Sequence, residues 1–202
     1  MMNKMLKLAI LGVAACGVFA LTGCGGDKAA SSATSSAAGQ GALLQKIKKD
    51  GKLVVGTAPG FPPYEFLDTS VKDKKSITGI DIKIAEAVAK KLGVKLEVQD
   101  MTFQSLLASI TTGKIDIAIS AITPTAEREK TVDFSDSYLV GKHTLLVRKE
   151  DAGKYKTLAD FNGKKIAVQK SSLQEKLTNE QIKDAQVVAL TKVPDALLEL
   201  QQ

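Results

Sequence analysis

The chain has 202 residues, a formal net charge of +6, two cysteines, one histidine and no tryptophan. This length accommodates one or two globular units of ordinary size. The lysines and arginines are scattered rather than interleaved with aromatic residues, and this pattern argues against a nucleic-acid-binding surface.

The first 23 residues have the pattern of a bacterial signal peptide. Lys4 and Lys7 precede an apolar run over residues 8–21, which is too short for a comfortable transmembrane helix. The run ends in Leu21-Thr22-Gly23-Cys24, which resembles the lipobox of bacterial lipoproteins. We therefore expect cleavage before Cys24 and lipid attachment to it, which leaves the folded part without a thiol or a disulfide. An uncleaved anchor and ordinary signal cleavage are the alternatives.

Residues 24–41 are dominated by glycine, alanine and serine, with almost nothing large enough to bury. This composition predicts a flexible tether between a lipid anchor and a domain. A short helix over residues 42–49 is expected next, ending at Asp50-Gly51.

From Lys52 onward, short β-branched runs alternate with helical patterns, which predicts an α/β fold. We expect strands at 53–56, 96–98, 115–119, 144–148, 165–168 and 186–190, and helices at 84–92, at 103–110 and from Pro194. The alternation restarts after residue 148, which suggests a second lobe. A helix that starts at Pro194 normally leads into a further strand, so we expect that the chain is truncated.

The stretch from Ser120 to Lys130 contains the candidate binding motif. Thr123 suits a helix N-cap and Pro124 the first helical position, which places Arg128 about one turn into a helix. The helix macrodipole disfavours a cation in the first turn, and a bound anion would offset this unfavourable interaction. Backbone N–H groups, the Thr123 hydroxyl and the guanidinium together predict a carboxylate clamp. The alternative is a surface Arg128 paired with Glu127 or Glu129.

Several separate blocks of the chain resemble the extracellular solute-binding proteins of ABC importers, in the family that binds polar amino acids. The blocks are Gly56-Thr57 with Phe61-Pro-Pro-Tyr-Glu-Phe66, Thr78-Gly-Ile-Asp-Ile-Lys-Ile-Ala85, Phe103 before Leu106-Leu107, Ser120…Thr123…Glu127-Arg128 followed by Val132-Asp-Phe-Ser135, and Leu158-Ala-Asp-Phe-Asn-Gly-Lys164. The resemblance implies an α/β, two-lobed, periplasmic-binding-protein-like fold of type II. Lobe one would span residues 42–147 and be nearly complete, and lobe two would be partial over 148–202.

The resemblance also implies ligand-binding residues from both lobes, namely Phe61, Phe103, Ser120, Ala121, Thr123, Arg128, Ser171 and Ser172. Arg128 would hold the ligand α-carboxylate, helped by the N–H and hydroxyl of Thr123 and by the N–H of Ser172. The carbonyl of Ala121 would accept from the α-ammonium. A plain helix cap is the alternative for Ser171 and Ser172.

The ligand side chain would lie against Phe61 and Phe103, with Ser120 nearby. Phe103 has a core position as its alternative. Ala58 stands where many relatives carry an aspartate that contacts the ligand side chain, which weakens the case for a cationic ligand. The family's acidic partner for the α-ammonium comes from a loop of lobe two beyond Gln202.

The predicted function is capture of a free polar amino acid outside the cytoplasmic membrane and its delivery to an ABC transporter permease. The chain would sit on a lipid anchor, at a cell surface or in a periplasm, without a cofactor or metal. The alternatives are a same-fold enzyme, either a cyclic-acid dehydratase or a peptidoglycan lyase, and a ligand-sensing domain. No paired carboxylates or nucleophile with its base is evident to support an enzyme. We interpret His143 as structural and Asp81 as a helix cap, with Glu65 also near the cleft.

Overall fold

The computed structural model describes residues 34–70 and 76–202. The signal peptide, Cys24 and the first part of the tether therefore lie outside the described residues. Within the described ranges, no helix is both long and apolar enough to cross a membrane. The first helix begins at Thr34, inside the segment predicted as a tether, rather than at residue 42.

The described residues form α-helices and β-strands that alternate for most of the chain, as predicted. In chain order they are α1 (Thr34–Asp50), β1 (Lys52–Thr57), β2 (Phe66–Asp68), β3 (Ser76–Thr78), α2 (Ile80–Leu92), β4 (Lys95–Asp100), α3 (Phe103–Thr111), β5 (Ile117–Ala118), β6 (Lys165–Gln169), α4 (Leu173–Gln181), β7 (Gln186–Leu190) and α5 (Val193–Gln201). Short 3₁₀ helices span Arg128–Lys130, Lys149–Asp151 and Leu158–Phe161.

Lobe one is built on a parallel sheet with the strand order β4-β1-β5. After its first residue β1 is buried throughout, because helices cover both faces of the sheet. Successive side chains of a strand point to opposite faces. Leu53 and Val55 accordingly pack in one core cluster with α1 and α2, while Val54 packs in the other with Leu106 of α3 and Ile115.

Lobe two has its own sheet, in which β6 and β7 pair in parallel. Its small core contains Ile166, Val168 and Ile182. Helix α4 follows β6, and α5 starts with Pro194 in its first turn, as predicted. The separate second sheet agrees with the predicted two-lobed α/β architecture.

One predicted strand is absent and another is shorter than expected. Residues 144–148 pair with no other strand among the described residues, and Leu146 is 67% exposed. A β-branched run lacks the ladder hydrogen bonds that define a strand when no partner lies beside it. The strand predicted over 115–119 forms ladder pairs only at Ile117 and Ala118.

Candidate ligand-binding site

The segment that follows β5 carries the predicted binding residues, but it does not form the predicted α-helix from Pro124. Only one short 3₁₀ turn forms, at Arg128–Lys130. Thr125 performs the capping role expected of Thr123, since its hydroxyl accepts the Arg128 N–H at 3.2 Å. Because no α-helix starts at Pro124, no α-helix macrodipole favours an anion at this position.

Arg128 lies half-buried between the two lobes. Its Nη1 donates to the Thr123 carbonyl at 2.7 Å, and its Nη2 donates to the Ser171 carbonyl at 3.1 Å. The guanidinium carbon lies 5.6 Å from the centre of the Phe103 ring, within cation–π range. One cation thus contacts lobe one, lobe two and an aromatic ring.

Among the described residues, no carboxylate forms a salt bridge with Arg128, so the predicted alternative of a pair with Glu127 or Glu129 is wrong. Glu127 instead lies 3.8 Å from Lys176. Burial lowers the pKa of the Arg128 guanidinium, and the charge of Glu127 opposes this shift. A guanidinium remains charged at neutral pH regardless. A half-buried cation without a paired anion is costly, and a bound anion removes that cost.

The two phenylalanines, Phe61 and Phe103, lie at the cavity wall. Phe103 begins α3 and packs partly against the lobe-one core, so its ring serves both the core and the surface beneath Arg128. Phe61 stacks on Tyr64 with ring centres 5.2 Å apart and planes at 16°. Both rings face the same cavity.

Two buried carboxyl groups lie together beneath residues 120 and 121. Asp81 is fully buried, and its carboxylate accepts the Ala121 N–H at 2.8 Å and the Tyr138 hydroxyl at 3.0 Å. It is therefore not the predicted helix cap. Glu65 accepts the Ser120 hydroxyl at 2.7 Å, and Ser120 in turn accepts the Ala58 N–H at 3.1 Å.

Burial raises the pKa of Glu65 to about 9. The adjacent carboxylate of Asp81 raises the pKa further, whereas the bond from Ser120 lowers it. The expectation that the chain has no paired carboxylates is therefore wrong. The two residues are far apart in the sequence, and no local spacing pattern links them.

A cavity of about 800 Å³ lies between the lobes. Seven of the eight residues implied by the resemblance line it, namely Phe61, Phe103, Ser120, Ala121, Thr123, Arg128 and Ser172. The eighth, Ser171, contributes its carbonyl to Arg128 instead. His143 also lines the cavity, where it is exposed and its Nδ1 lies 3.2 Å from the Gln174 amide.

The lobe-two side of the cavity is the start of α4. The Ser172 hydroxyl accepts the Glu175 N–H at 3.1 Å, which is the helix cap given as the alternative. The Ser172 N–H, expected to bind a ligand, donates to the Gln169 carbonyl at 3.2 Å. The Ser171 N–H donates to the Glu175 carboxylate at 2.5 Å. By contrast, no hydrogen bond within the described residues uses the Thr123 N–H or hydroxyl.

The chemistry of this site is that of a binding cleft for a small anion or zwitterion. Arg128 supplies a fixed positive charge, Thr123 supplies donors, and two aromatic rings supply an apolar wall. In the described part of the chain, no group of histidine, cysteine, aspartate and glutamate is arranged to hold a metal ion.

Comparison with known proteins gives consistent matches. The sequence profile of the bacterial extracellular solute-binding proteins, family 3, matches residues 53–202. The arginine-binding extracellular protein ArtP of Bacillus subtilis is 41% identical over 176 residues, which cover 87% of this chain and 60% of ArtP. The L-cystine-binding protein TcyJ of Escherichia coli is 36% identical over 126 residues, covering 62% of this chain and 46% of TcyJ.

Solved structures agree with these matches. An amino acid ABC transporter substrate-binding protein from Streptococcus pneumoniae, bound to L-arginine, superposes with a TM-score of 0.76 at 42% identity. The match covers 79% of this chain and 66% of that one. The ancestral amino acid-binding protein AncCDT-1, a precursor of cyclohexadienyl dehydratase, gives a TM-score of 0.74 at 37% identity, over 78% and 69% of the two chains. Among the curated relatives, the chain spans about 60% of the length of ArtP.

Proposed function

The chain belongs to the bacterial extracellular solute-binding proteins of family 3, and from this membership we propose that it captures a free amino acid outside the cytoplasmic membrane and delivers it to an ABC importer. The observation that carries the proposal is Arg128. It is a half-buried cation that faces the cavity and has no salt-bridge partner among the described residues.

The ligand α-carboxylate would bind to Arg128 and Thr123. A guanidinium has five N–H donors, of which Arg128 gives two to carbonyls, so three remain for a ligand. The unused Thr123 N–H and hydroxyl lie on the same cavity wall. On the lobe-two side, Ser172 would contribute its N–H only after releasing the Gln169 carbonyl, with Ser171 beside it. The Ala121 carbonyl would accept from the α-ammonium.

The first ligand to test is L-arginine, because ArtP is named as an arginine-binding protein and the pneumococcal structure contains bound L-arginine. Ala58 supplies no carboxylate for a cationic side chain. The rings of Phe61 and Phe103 offer the alternative, since a guanidinium stacks well on aromatic faces. Ser120 lies next to them at the cavity wall. Cystine, histidine and glutamine form the comparison set, because other relatives are named as binding them.

We favour binding over catalysis. A protonated Glu65 has the chemistry of a general acid, and AncCDT-1 is named as the precursor of a dehydratase. The Glu65 residue is only 2% exposed, however, and its carboxyl accepts the Ser120 hydroxyl and lies beside Asp81. Such a group supports the wall of the site rather than meeting a substrate.

The proposal also assigns the parts of the chain. Residues 1–23 would be a signal peptide, Cys24 the lipid-anchored residue, and the residues between Cys24 and α1 a tether. Residues 42–147 would form lobe one and residues 148–202 part of lobe two. The partners would be the free amino acid, the permease of the importer and, through the anchor, the membrane.

Calorimetric titration of the detergent-solubilised full chain with the four amino acids tests the proposal. We expect saturable binding of L-arginine, and an unchanged ligand in the recovered solution, as measured by NMR. Failure of all four to bind, in a chain that melts cooperatively, would contradict capture by this chain. Chemical conversion of the ligand would instead support the enzyme.

A further inference from the structure

We propose that Glu65 and Asp81 form a carboxyl pair, bridged by one proton, that positions the ligand-binding segment 120–123, and that loss of this proton weakens ligand binding. The inference rests on the proposed function, since it concerns the same site. Glu65 and Asp81 are positioning residues in this proposal, because they act through Ser120 and Ala121.

Backbone hydrogen bonds connect the start of α2, which carries Asp81, to the loop that carries Glu65. The N–H groups of Ile80 and Asp81 both donate, at 3.0 Å, to the carbonyls of Pro63 and Tyr64. Gly79 permits this approach, because a Cβ on it would lie 2.1 Å from the Tyr64 carbonyl oxygen. These bonds fix the start of α2 against the loop that carries Glu65, so the backbones of Glu65 and Asp81 stay close together.

The same two groups hold the binding segment from below. Glu65 accepts from the Ser120 hydroxyl and Asp81 from the Ala121 N–H. Ala121 has φ of 47°, a left-handed conformation that costs an alanine free energy and needs support from its surroundings. The hydrogen bond to Asp81 is such support. The Thr123 carbonyl, two residues after Ala121, accepts a hydrogen bond from the Arg128 guanidinium. The position of segment 120–123 therefore affects the proposed carboxylate clamp.

A proton on Glu65 completes the hydrogen bonding of the pair. The Oε2 atom of Glu65 is buried and receives no hydrogen bond from any described residue. Protonated, it becomes a donor, and the carboxylate of Asp81 is the neighbouring acceptor. Two carboxyl groups in contact cannot both ionise without strong repulsion between the resulting charges.

No cation among the described residues offsets that repulsion. The titratable groups that influence Glu65 from the packed elements are Asp81 of α2 and Tyr138 of the segment after the 3₁₀ turn. Burial and Asp81 both raise the pKa of Tyr138, so its phenol stays protonated as the pH rises. No lysine, arginine or histidine among the described residues contributes to the pKa of Glu65. Ionisation of Glu65 therefore separates the pair and releases Ser120 or Ala121.

The test compares L-arginine affinity of the wild type and Glu65→Gln between pH 6.5 and 10 by calorimetry. Glutamine keeps the shape and hydrogen bonding of a protonated glutamate but cannot ionise. The α-ammonium of arginine also titrates in this range, and its effect cancels because both proteins bind the same ligand. We expect the ratio of wild-type to variant affinity to be constant near pH 7 and to fall at least about fivefold by pH 10. A ratio that does not change with pH overturns the proposal.

A second readout needs no ligand. The raised pKa of Glu65 stabilises the native state fully below the unfolded value near 4.5, and this stabilisation is lost as the pH rises through about 9. Urea unfolding should therefore show the wild type losing stability relative to Glu65→Gln over this window. Parallel stability profiles would refute the bridging proton.

The two proposals can fail separately. If neither protein binds arginine or the comparison amino acids at pH 7, the proposed function fails, and the stability profiles decide the proton-bridged pair alone. If Glu65→Gln does not fold, Asp81→Asn replaces it. Because Asp81 raises the pKa of Glu65, we expect the alkaline loss of stability in Asp81→Asn at lower pH than in the wild type. An unshifted loss overturns the pair.

Discussion

Replacing Arg128 with alanine gives the most direct test of the carboxylate clamp. The guanidinium keeps three N–H donors for a ligand, enough for two parallel bonds to a carboxylate. Each hydrogen bond to a charged group contributes about 1.5–3 kcal/mol. The substitution should therefore weaken L-arginine binding by about 3–6 kcal/mol, or roughly a factor of 10² to 10⁴.

The stability of the chain should change little in the same variant. Arg128→Ala loses two hydrogen bonds to carbonyls, but it also removes the cost of a half-buried charge without a salt-bridge partner. These effects oppose each other, and we expect a change in unfolding free energy within about 1 kcal/mol. Urea unfolding measures it. Lys130→Ala, an exposed cation in the same 3₁₀ turn, is the matched control and should leave affinity unchanged.

The decisive assay changes the ligand as well as the protein. L-Argininamide has no α-carboxylate, so calorimetry should show that it binds the wild type weakly. The Arg128→Ala substitution should reduce the affinity for L-argininamide only slightly more. Arg128→Lys, which keeps the charge but loses the planar fork, should fall between wild type and alanine for L-arginine. If Arg128→Ala weakens both ligands by the same factor, the guanidinium does not recognise the carboxylate and the reasoning is refuted.

Three further predictions concern the scaffold, each measured as unfolding free energy in urea. Leu106→Ala removes a fully buried side chain between α3 and the sheet and should cost about 2–5 kcal/mol. Gly79→Ala places a Cβ against backbone and should cost at least about 2 kcal/mol, more than Gly93→Ala, whose Cβ meets nothing within 4 Å. Asp116→Ala leaves the Val54 N–H without its acceptor and should cost about 1–3 kcal/mol more than Asp116→Asn; equal costs would contradict this.

Local patterns predicted much of lobe one. The apolar spacing that ends at Gly93 predicted the C-terminal end of α2, and Gly93 ends it with φ of 71°. The run from Leu53 to Gly56 predicted β1, which is buried between two helical layers. These predictions succeeded because periodicity and a left-handed glycine are properties of a short segment.

Predictions that depended on a partner failed. The helix from Pro124 looked capped by Thr123, but the Thr125 hydroxyl caps a single turn instead, and two threonines so close cannot be ranked from sequence. The strand at 144–148 had suitable residues but has no neighbouring strand in the described part of the chain. Strand formation depends on that neighbour more than on propensity.

The candidate site was predicted through resemblance, and the support beneath it was missed. Arg128 and the two phenylalanines were named from motifs, and they line the cavity. The contact between Glu65 and Asp81 arises where the loop before β2 meets the start of α2, which no pattern within either segment encodes. The residues around Asp81 in the sequence therefore indicate only its place at the start of α2 and not its contact with Glu65.

The bond from Arg128 to the Ser171 carbonyl joins the two lobes directly. Because this bond is exposed to water, it is weaker than a shielded bond to a charged group, at about 1 kcal/mol, and it favours contact between the lobes only about fivefold. A ligand that binds the closed cleft more tightly supplies the rest of the bias. Under the proposed function, the guanidinium that would bind the amino acid also holds the two lobes in contact, which lowers the cost of closing the cleft around a ligand.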